Sequence, residues 1–149
     1  MKLSIRQAVS TDLPAMMVLE KHAVTAGHWS LQQYEALFRT SSAGRTCLVI
    51  EEAQVQGFII ARTVGVEWEI ENIAIAGKAR RRGLGTRLLG EVLNLARARD
   101  AESVFLEVRE SNRAARALYE KWSFREDGRR RKYYKDPEED AILYRLALA

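Results

Sequence analysis

The residues best suited to chemistry lie in Asn72-Ile73-Ala74-Ile75-Ala76-Gly77-Lys78-Ala79-Arg80-Arg81-Arg82-Gly83-Leu84-Gly85, where an apolar strand and a basic turn lead through two glycines into a helical pattern. Gly83 and Gly85 let the backbone approach an anion closely. The first amides of the following helix, at Leu84, Gly85 and Thr86, have no intrahelical acceptor, and the helix dipole adds to their attraction for negative charge. Arg80, Arg81 and Arg82 bring positive charge to the same place. The order suits a cradle for a pyrophosphate. Three arginines alone would equally suit a solvated loop.

Two better-known phosphate motifs do not match. A P-loop needs a Lys-Ser or Lys-Thr after its glycines, and none follows here. A dinucleotide fingerprint needs a third glycine, which Gly83-Leu84-Gly85-Thr86-Arg87-Leu88 lacks. Elsewhere Glu67, Glu69 and Glu71 recur at period two, placing three carboxylates on one strand face. They either meet a positively charged substrate or form a solvated sheet face. His22 and His28 stand at no metal-ligand spacing, so no metal is expected. Cys47, the single cysteine, lies in an apolar run and reads as a buried strand thiol.

The elements that must position these groups alternate without a linker. Leu3-Ser4-Ile5-Arg6 reads as a strand. Ser10 or Thr11 is expected to cap a helix running to about residue 24, with Asp12 and Pro14 in its first turn. Ser30-Leu31-Gln32-Gln33 is a capping box, and Trp29 staples against Tyr34 across the start of a second helix to about Arg39. Strands follow at 46–51 and 56–63, with a turn near Ala53-Gln54. Glu67-Trp68-Glu69-Ile70-Glu71 alternates as a half-exposed strand that becomes wholly apolar from Ile73. Leu84, Leu88, Leu89, Val92, Leu95 and Ala96 repeat at helical spacing. Ser103 to Val108 is a buried strand, Asn112 caps a helix to about Lys121, and the last strands begin at Phe124 and Asp140.

Size and composition bound the function. A chain of 149 residues with 47% hydrophobic content forms a real core, and one domain over 1–149 is expected. No run approaches a membrane span, so a cytoplasmic protein without membrane contact is expected. The net charge of +4 raises the question of nucleic acid. However, aromatic residues do not alternate with the arginines as a single-strand platform requires, so no direct nucleic-acid binding is expected. Arg129-Arg130-Arg131-Lys132 reads as a solvated hairpin.

The spacing Arg80-x-x-Gly83-x-Gly85 resembles the R/Q-x-x-G-x-G/A signature of the GCN5-related N-acetyltransferases (GNAT), and the β-α-α-β-β-β-α-β-α-β-β order is similar to theirs across the whole chain. The run from Leu106 through Glu107-Val108-Arg109-Glu110-Ser111-Asn112 to Leu118-Tyr119 resembles more narrowly the bacterial RimI-like subgroup, which acetylates the N-terminal alanine of small-subunit ribosomal protein eighteen. His28-Trp29-Ser30, Glu71-Asn72-Ile73-Ala74-Ile75 and Tyr133-Tyr134 followed by Glu139-Asp140-Ala141 agree. The chain departs at Ala76-Gly77, where many members carry proline, and at Ser123, where glycine is usual.

The resemblance implies an α/β fold with a mixed, mostly antiparallel sheet, splayed at its central strands and covered by helices on both faces. Acetyl-CoA and a protein N-terminus, in the subgroup that of a ribosomal protein, would react directly in a ternary complex. Glu107 would be the general base. Tyr119 would be the general acid, besides packing on Phe124. Its ordinary pKa of about 10 against about 8.5 for a thiol leads to the expectation of a downhill proton transfer. Ile73, Ala74 and Ile75 would offer backbone groups to the cofactor, and Ile75 an amide to the thioester oxygen. Asn112 matches the residue that bonds pantetheine and reads equally as a helix cap. Trp29, Glu69, Glu71, Tyr133 and Tyr134 would meet the acceptor. A small-molecule amine or a lysine is the alternative acceptor, and a non-catalytic acyl-CoA sensor the alternative class.

Overall fold

The computed structural model describes residues 2–22, 29–39, 44–79 and 82–148. Its strands are β1 (Ser4–Gln7), β2 (Arg45–Glu52), β3 (Gln54–Val64), β4 (Glu67–Ile75), β5 (Ser103–Arg109), β6 (Arg125–Tyr134) and β7 (Glu139–Ala147). The helices are α1 (Leu13–His22), α2 (Leu31–Ala36), α3 (Leu84–Ala98) and α4 (Arg113–Lys121). All seven strands join one sheet in the order β1-β2-β3-β4-β5-β7-β6. Only β4 and β5 run parallel. This is the mixed, mostly antiparallel α/β sheet that the sequence led one to expect.

Two apolar layers hold it together. The stripe Leu84, Leu88, Leu89, Val92, Leu93 and Ala96 of α3 packs on one face with Leu48, Ile50, Trp68, Ile70, Val104, Leu106 and Tyr119. Full burial of each large aliphatic side chain contributes about 1.5–3 kcal/mol. Met16 and Leu19 of α1 and Tyr34 of α2 cover the other face over Val49, Phe58, Ile60 and Ala74.

Strand β4 contributes to both layers because its register slips. Ile60 pairs with Asn72 while Ala61 pairs with Ile70, leaving Glu71 as the extra residue of a bulge. Before it, Trp68 and Ile70 face α3; after it, Ile73 and Ile75 face α3, and Ala74 faces the α1–α2 layer. Unbroken alternation would have put Asn72 and Ala74 under α3.

Some local expectations need correction. The start of α1 is not capped by Ser10 or Thr11. A short 3₁₀ turn (Ser10–Asp12) precedes it, and the Asp12 carboxylate accepts from the Val9 amide at 2.7 Å. Arg6 takes that carboxylate in a bidentate pair and holds it below its usual range. Helix α2 ends at Ala36, short of Arg39, because its tail tightens into i→i+3 bonds such as Leu37 N to Tyr34 O. The expected end of α1 near residue 24 falls outside the described residues. Ser30 does form its capping box, and Trp29 does pack on Tyr34, with ring centroids 5.5 Å apart.

Ser123 sits after α4 at φ 73°, the left-handed region that glycine adopts freely. Its amide bonds Glu120 O at 3.0 Å, and the Phe124 amide bonds Tyr119 O at 3.0 Å. Ser123→Gly is expected to stabilise the fold by about 0.5–1 kcal/mol. A thermal melt should then rise by roughly 2–4 °C. A lower melting temperature would show that the serine contributes more than its backbone costs.

Candidate active site

The parallel pairing of β4 with β5 covers only Glu67↔Ser103, Trp68↔Val104 and Glu69↔Phe105. Beyond Glu69 the two strands no longer pair, and the start of α3, at Gly85, stands beside Ile75 of β4 and Leu118 of α4. Strand alternation decides which backbone groups line the gap between β4 and β5. The Ala76 amide bonds Gln56 O of β3 at 2.7 Å, so the amides of Ile73 and Ile75 point the other way, into the gap. The polar groups of Ala74 face β3, which removes that residue from the expected backbone set. A proline at position 76 would forfeit the bond to Gln56, so Ala76 suits this strand end.

Gly83 is the N-cap of α3 at φ 76°, and among the described residues no side chain caps the helix. The Arg87 amide is the first to find its intrahelical acceptor, Gly83 O at 3.0 Å. The amides of Leu84, Gly85 and Thr86 therefore head the helix without such partners. A β-carbon on Gly85 would make only ordinary contact with Leu118 and Ile75, at 3.7 and 3.8 Å, so packing alone does not demand this glycine. Arg82 is not idle charge: it pairs with Glu52 at 3.1 Å. Arg80 and Arg81 lie outside the described residues. Gly83→Asp would strain a left-handed residue and put a carboxylate where an anion approaches. Acetyl-CoA affinity by calorimetry should fall at least roughly a hundredfold, since like charges in contact cost several kcal/mol. An unchanged affinity with an intact circular dichroism spectrum would sink the cradle.

On β5, Val104, Leu106 and Val108 face α3, so Phe105, Glu107 and Arg109 face the opposite side. Glu107 Oε1 meets Arg130 Nε at 3.2 Å, while Oε2 is buried with no hydrogen-bond partner among the described residues. Burial raises the carboxyl above its ordinary value, Arg130 opposes the rise, and Glu69 adds to it. Tyr119 approaches from the α3 side, buried against Phe124 (5.6 Å) and Tyr144 (6.3 Å). Tyr134 links the two electrostatically: the charge of Glu107 raises its pKa, and it in turn raises that of Tyr119.

Burial first, then Tyr134, pushes the Tyr119 hydroxyl well above its ordinary range, so it stays protonated. The expected downhill proton transfer is therefore wrong, and was already uphill at the ordinary values. An acid weaker than a thiol gives up its proton to a thiolate only uphill, and burial steepens the climb. The chemistry open to this hydroxyl is a hydrogen bond to sulfur as negative charge develops there.

The expected acceptor residues come from the head of α2, from β4 and from the end of β6. Trp29 stands at the head of α2, its amide donating to Glu20 Oε1 at 2.7 Å and the Arg45 guanidinium 5.6 Å from its ring. Tyr133 and Tyr134 end β6, edge to face at 5.1 Å, and burial pushes Tyr134 up to about 12. The acidic face is not an open negative field. Glu67 pairs with Arg145 and Ser103, Glu69 with Arg62 at 2.8 Å, and Glu71 with Arg45 at 2.9 Å. Asn112 caps α4, accepting from the Ala115 amide at 3.1 Å.

Several residues at this site carry little sequence signal. Arg109 lies 4.4 Å from the Tyr134 ring centroid and donates to Lys135 O and Pro137 O, fixing the β6–β7 turn. Glu20 is buried and also accepts from Asn72, a polar side chain within an apolar strand that was the available clue. Gly57 had a clue too, as a glycine inside a strand. A β-carbon there would lie 2.5 Å from Ile75 Cδ1. Among the described residues, no three His, Cys, Asp or Glu gather to hold a metal ion.

A splayed mixed sheet, a helix start with free leading amides at the splay and a half-buried carboxylate beside it define an acyl-transfer domain. The chain belongs to the acetyltransferase (GNAT) family, whose profile matches residues 13–124, and is an acetyltransferase. It is 34% identical over 151 residues to the [ribosomal protein bS18]-alanine N-acetyltransferase of Escherichia coli strain K12, covering 98% of each chain. A putative enzyme of the same description from Bacillus subtilis is 31% identical, over 95% of this chain and 93% of that one. The crystal structure of the ribosomal-protein-S18-alanine N-acetyltransferase from Escherichia coli superposes with a TM-score of 0.89 at 32% identity, covering 99% of this chain and 95% of the other.

Proposed function

We propose that this chain moves the acetyl group of acetyl-CoA onto the α-amine of a protein N-terminus, with the N-terminal alanine of ribosomal protein bS18 as its substrate. The observation that carries the reading is Glu107, a half-buried carboxylate with one oxygen shut off from solvent and a raised pKa, beside the gap where β4 leaves β5. It is supported by relatives of that activity aligned over nearly the whole chain. Glu107 takes the proton of the acceptor ammonium, directly or through water, and the neutral amine attacks the thioester carbonyl. The Ile75 amide donates to the oxygen as it gains charge, the Tyr119 hydroxyl donates a hydrogen bond to the departing sulfur, and the second proton shed by the nitrogen as the intermediate collapses passes to the thiolate. The amides of Ile73 and of the α3 start, with Arg80, Arg81 and Arg82, hold the donor, and Asn112 supports the pantetheine end. Trp29, Glu69, Glu71, Tyr133 and Tyr134 border the acceptor. One domain performs the whole reaction, in the cytoplasm where ribosomal proteins are made, with no metal.

The test is product mass after reaction of acetyl-CoA with peptides that begin with alanine and carry arginine soon after. Free α-amine peptides should be acetylated once, and blocking that amine while leaving lysines free should abolish turnover. Acetylation of the blocked peptide on lysine would overturn the N-terminal reading.

A further inference from the structure

We propose that Arg130 occupies the place of the acceptor's ammonium on Glu107 and is exchanged for it when the acceptor enters. The inference rests on the reading of Glu107 as the base and extends it to how the acceptor is admitted. Arg130 reaches from β6, across β7, to a residue of β5; its Nε is the partner of Oε1 at 3.2 Å. The two ends of this pair differ sharply in exposure: 63% of the Arg130 side chain is open to solvent, against 15% for Glu107. Its other neighbour is the face of Tyr133, 5.3 Å away. A guanidinium held by one carboxylate oxygen and one ring at the surface leaves easily. The carboxylate stays, with Oε2 buried and without a hydrogen-bond partner among the described residues.

An incoming ammonium has the same charge and three donors, so it replaces the guanidinium without leaving the base unpaired. The acceptor is therefore taken in its protonated form and loses its proton only after the exchange. A neutral or blocked amine lacks the charge needed to compete. The groups facing Glu107 are Arg130 from β6, Glu69 from β4 and Tyr134 at the end of β6. Of these, Arg130 alone lowers its proton affinity, so removing Arg130 has a defined sign.

Carbon-13 NMR of the Glu107 carboxyl in the substrate-free full chain tests this, without reliance on turnover. Arg130→Gln should raise the midpoint by about one pH unit, and Arg130→Lys should restore most of the difference. Added salt should raise the wild-type midpoint, and should not raise that of Arg130→Gln, where only the repulsion from Glu69 is left to screen. Nitrogen-15 spectra of the arginine Nε groups then read the exchange itself. A short peptide beginning Ala-Arg-Arg should shift the Arg130 signal, and the shift should vanish in Glu107→Gln. If only an α-blocked lysine peptide shifts the signal, the exchange stands and the N-terminal reading falls. An unchanged Glu107 midpoint in Arg130→Gln, or an Arg130 signal that no amine moves, would overturn the proposal.

Discussion

Glu107→Gln is expected to lower kcat at pH 7 by a factor on the order of 10²–10⁴. Glutamine keeps the shape of the side chain and loses the ability to accept a proton. Burial holds the wild-type carboxyl above its ordinary value, so the acid limb of kcat/KM should lie above the usual carboxylate range. That limb should disappear in the variant. The residual rate should climb with pH as more amine is already neutral, and the gap between the two enzymes should narrow. A variant equal to wild type at pH 7 would remove Glu107 from the chemistry.

The same substitution separates lost chemistry from lost structure. A carboxyl whose pKa is raised by folding favours the native state when protonated. Its contribution is greatest below the unfolded pKa and is lost as pH rises through the higher folded value. At neutral pH the charged Glu107 therefore weakens the fold, and Glu107→Gln should melt at a higher temperature than wild type. An inactive variant that is also more stable has lost a proton acceptor rather than a fold.

Tyr119→Phe should lower kcat by roughly 10²–10³, the usual cost of removing one donor to developing charge, with little change in acetyl-CoA affinity. The ring contacts with Phe124 and Tyr144 remain available to phenylalanine, so the core is preserved. Because the hydroxyl is a weaker acid than the thiol, its service is a hydrogen bond to sulfur. A thioester whose thiol is more acidic needs that bond less, and the deficit should shrink with such a donor. If affinity drops while single-turnover chemistry does not, the hydroxyl positions the cofactor instead.

Helix α3 was legible because Leu84, Leu88, Leu89 and Val92 repeat on one stripe, and α4 because Asn112 stands at its cap. Local signals of that kind need no partner from elsewhere in the chain. The bulge at Glu71 was not legible: the alternation Glu67-Trp68-Glu69-Ile70-Glu71 runs straight into it, and an inserted residue leaves no mark in composition. The three glutamates were rightly assigned to a strand, yet their arginine partners come from β2, β3 and β7 and were invisible in the local sequence. For the same reason Arg130 was read as part of a solvated run. Its engagement with Glu107 depends on the strand order β5-β7-β6, which no local pattern encodes. Glu20, near the end of α1, read only as part of that helix. Only the packing of α2 and β4 around it reveals a buried anchor.

Strand β6 closes one side of the sheet and bonds only to β7, so its outer backbone groups lie along an open edge. Such an edge is a template on which a strand from another copy can add itself. Five of its ten residues, Arg125, Arg129, Arg130, Arg131 and Lys132, are cations, and nearly all of the strand is exposed. Two copies that paired about the Arg129–Lys132 run would bring like charges together there, and Gly128 and the register shifts further spoil a flat match. The run that read as a solvated hairpin thus also disfavours sheet-to-sheet self-association through that stretch. Its arginines guard solubility in proportion to the bareness of the edge they line.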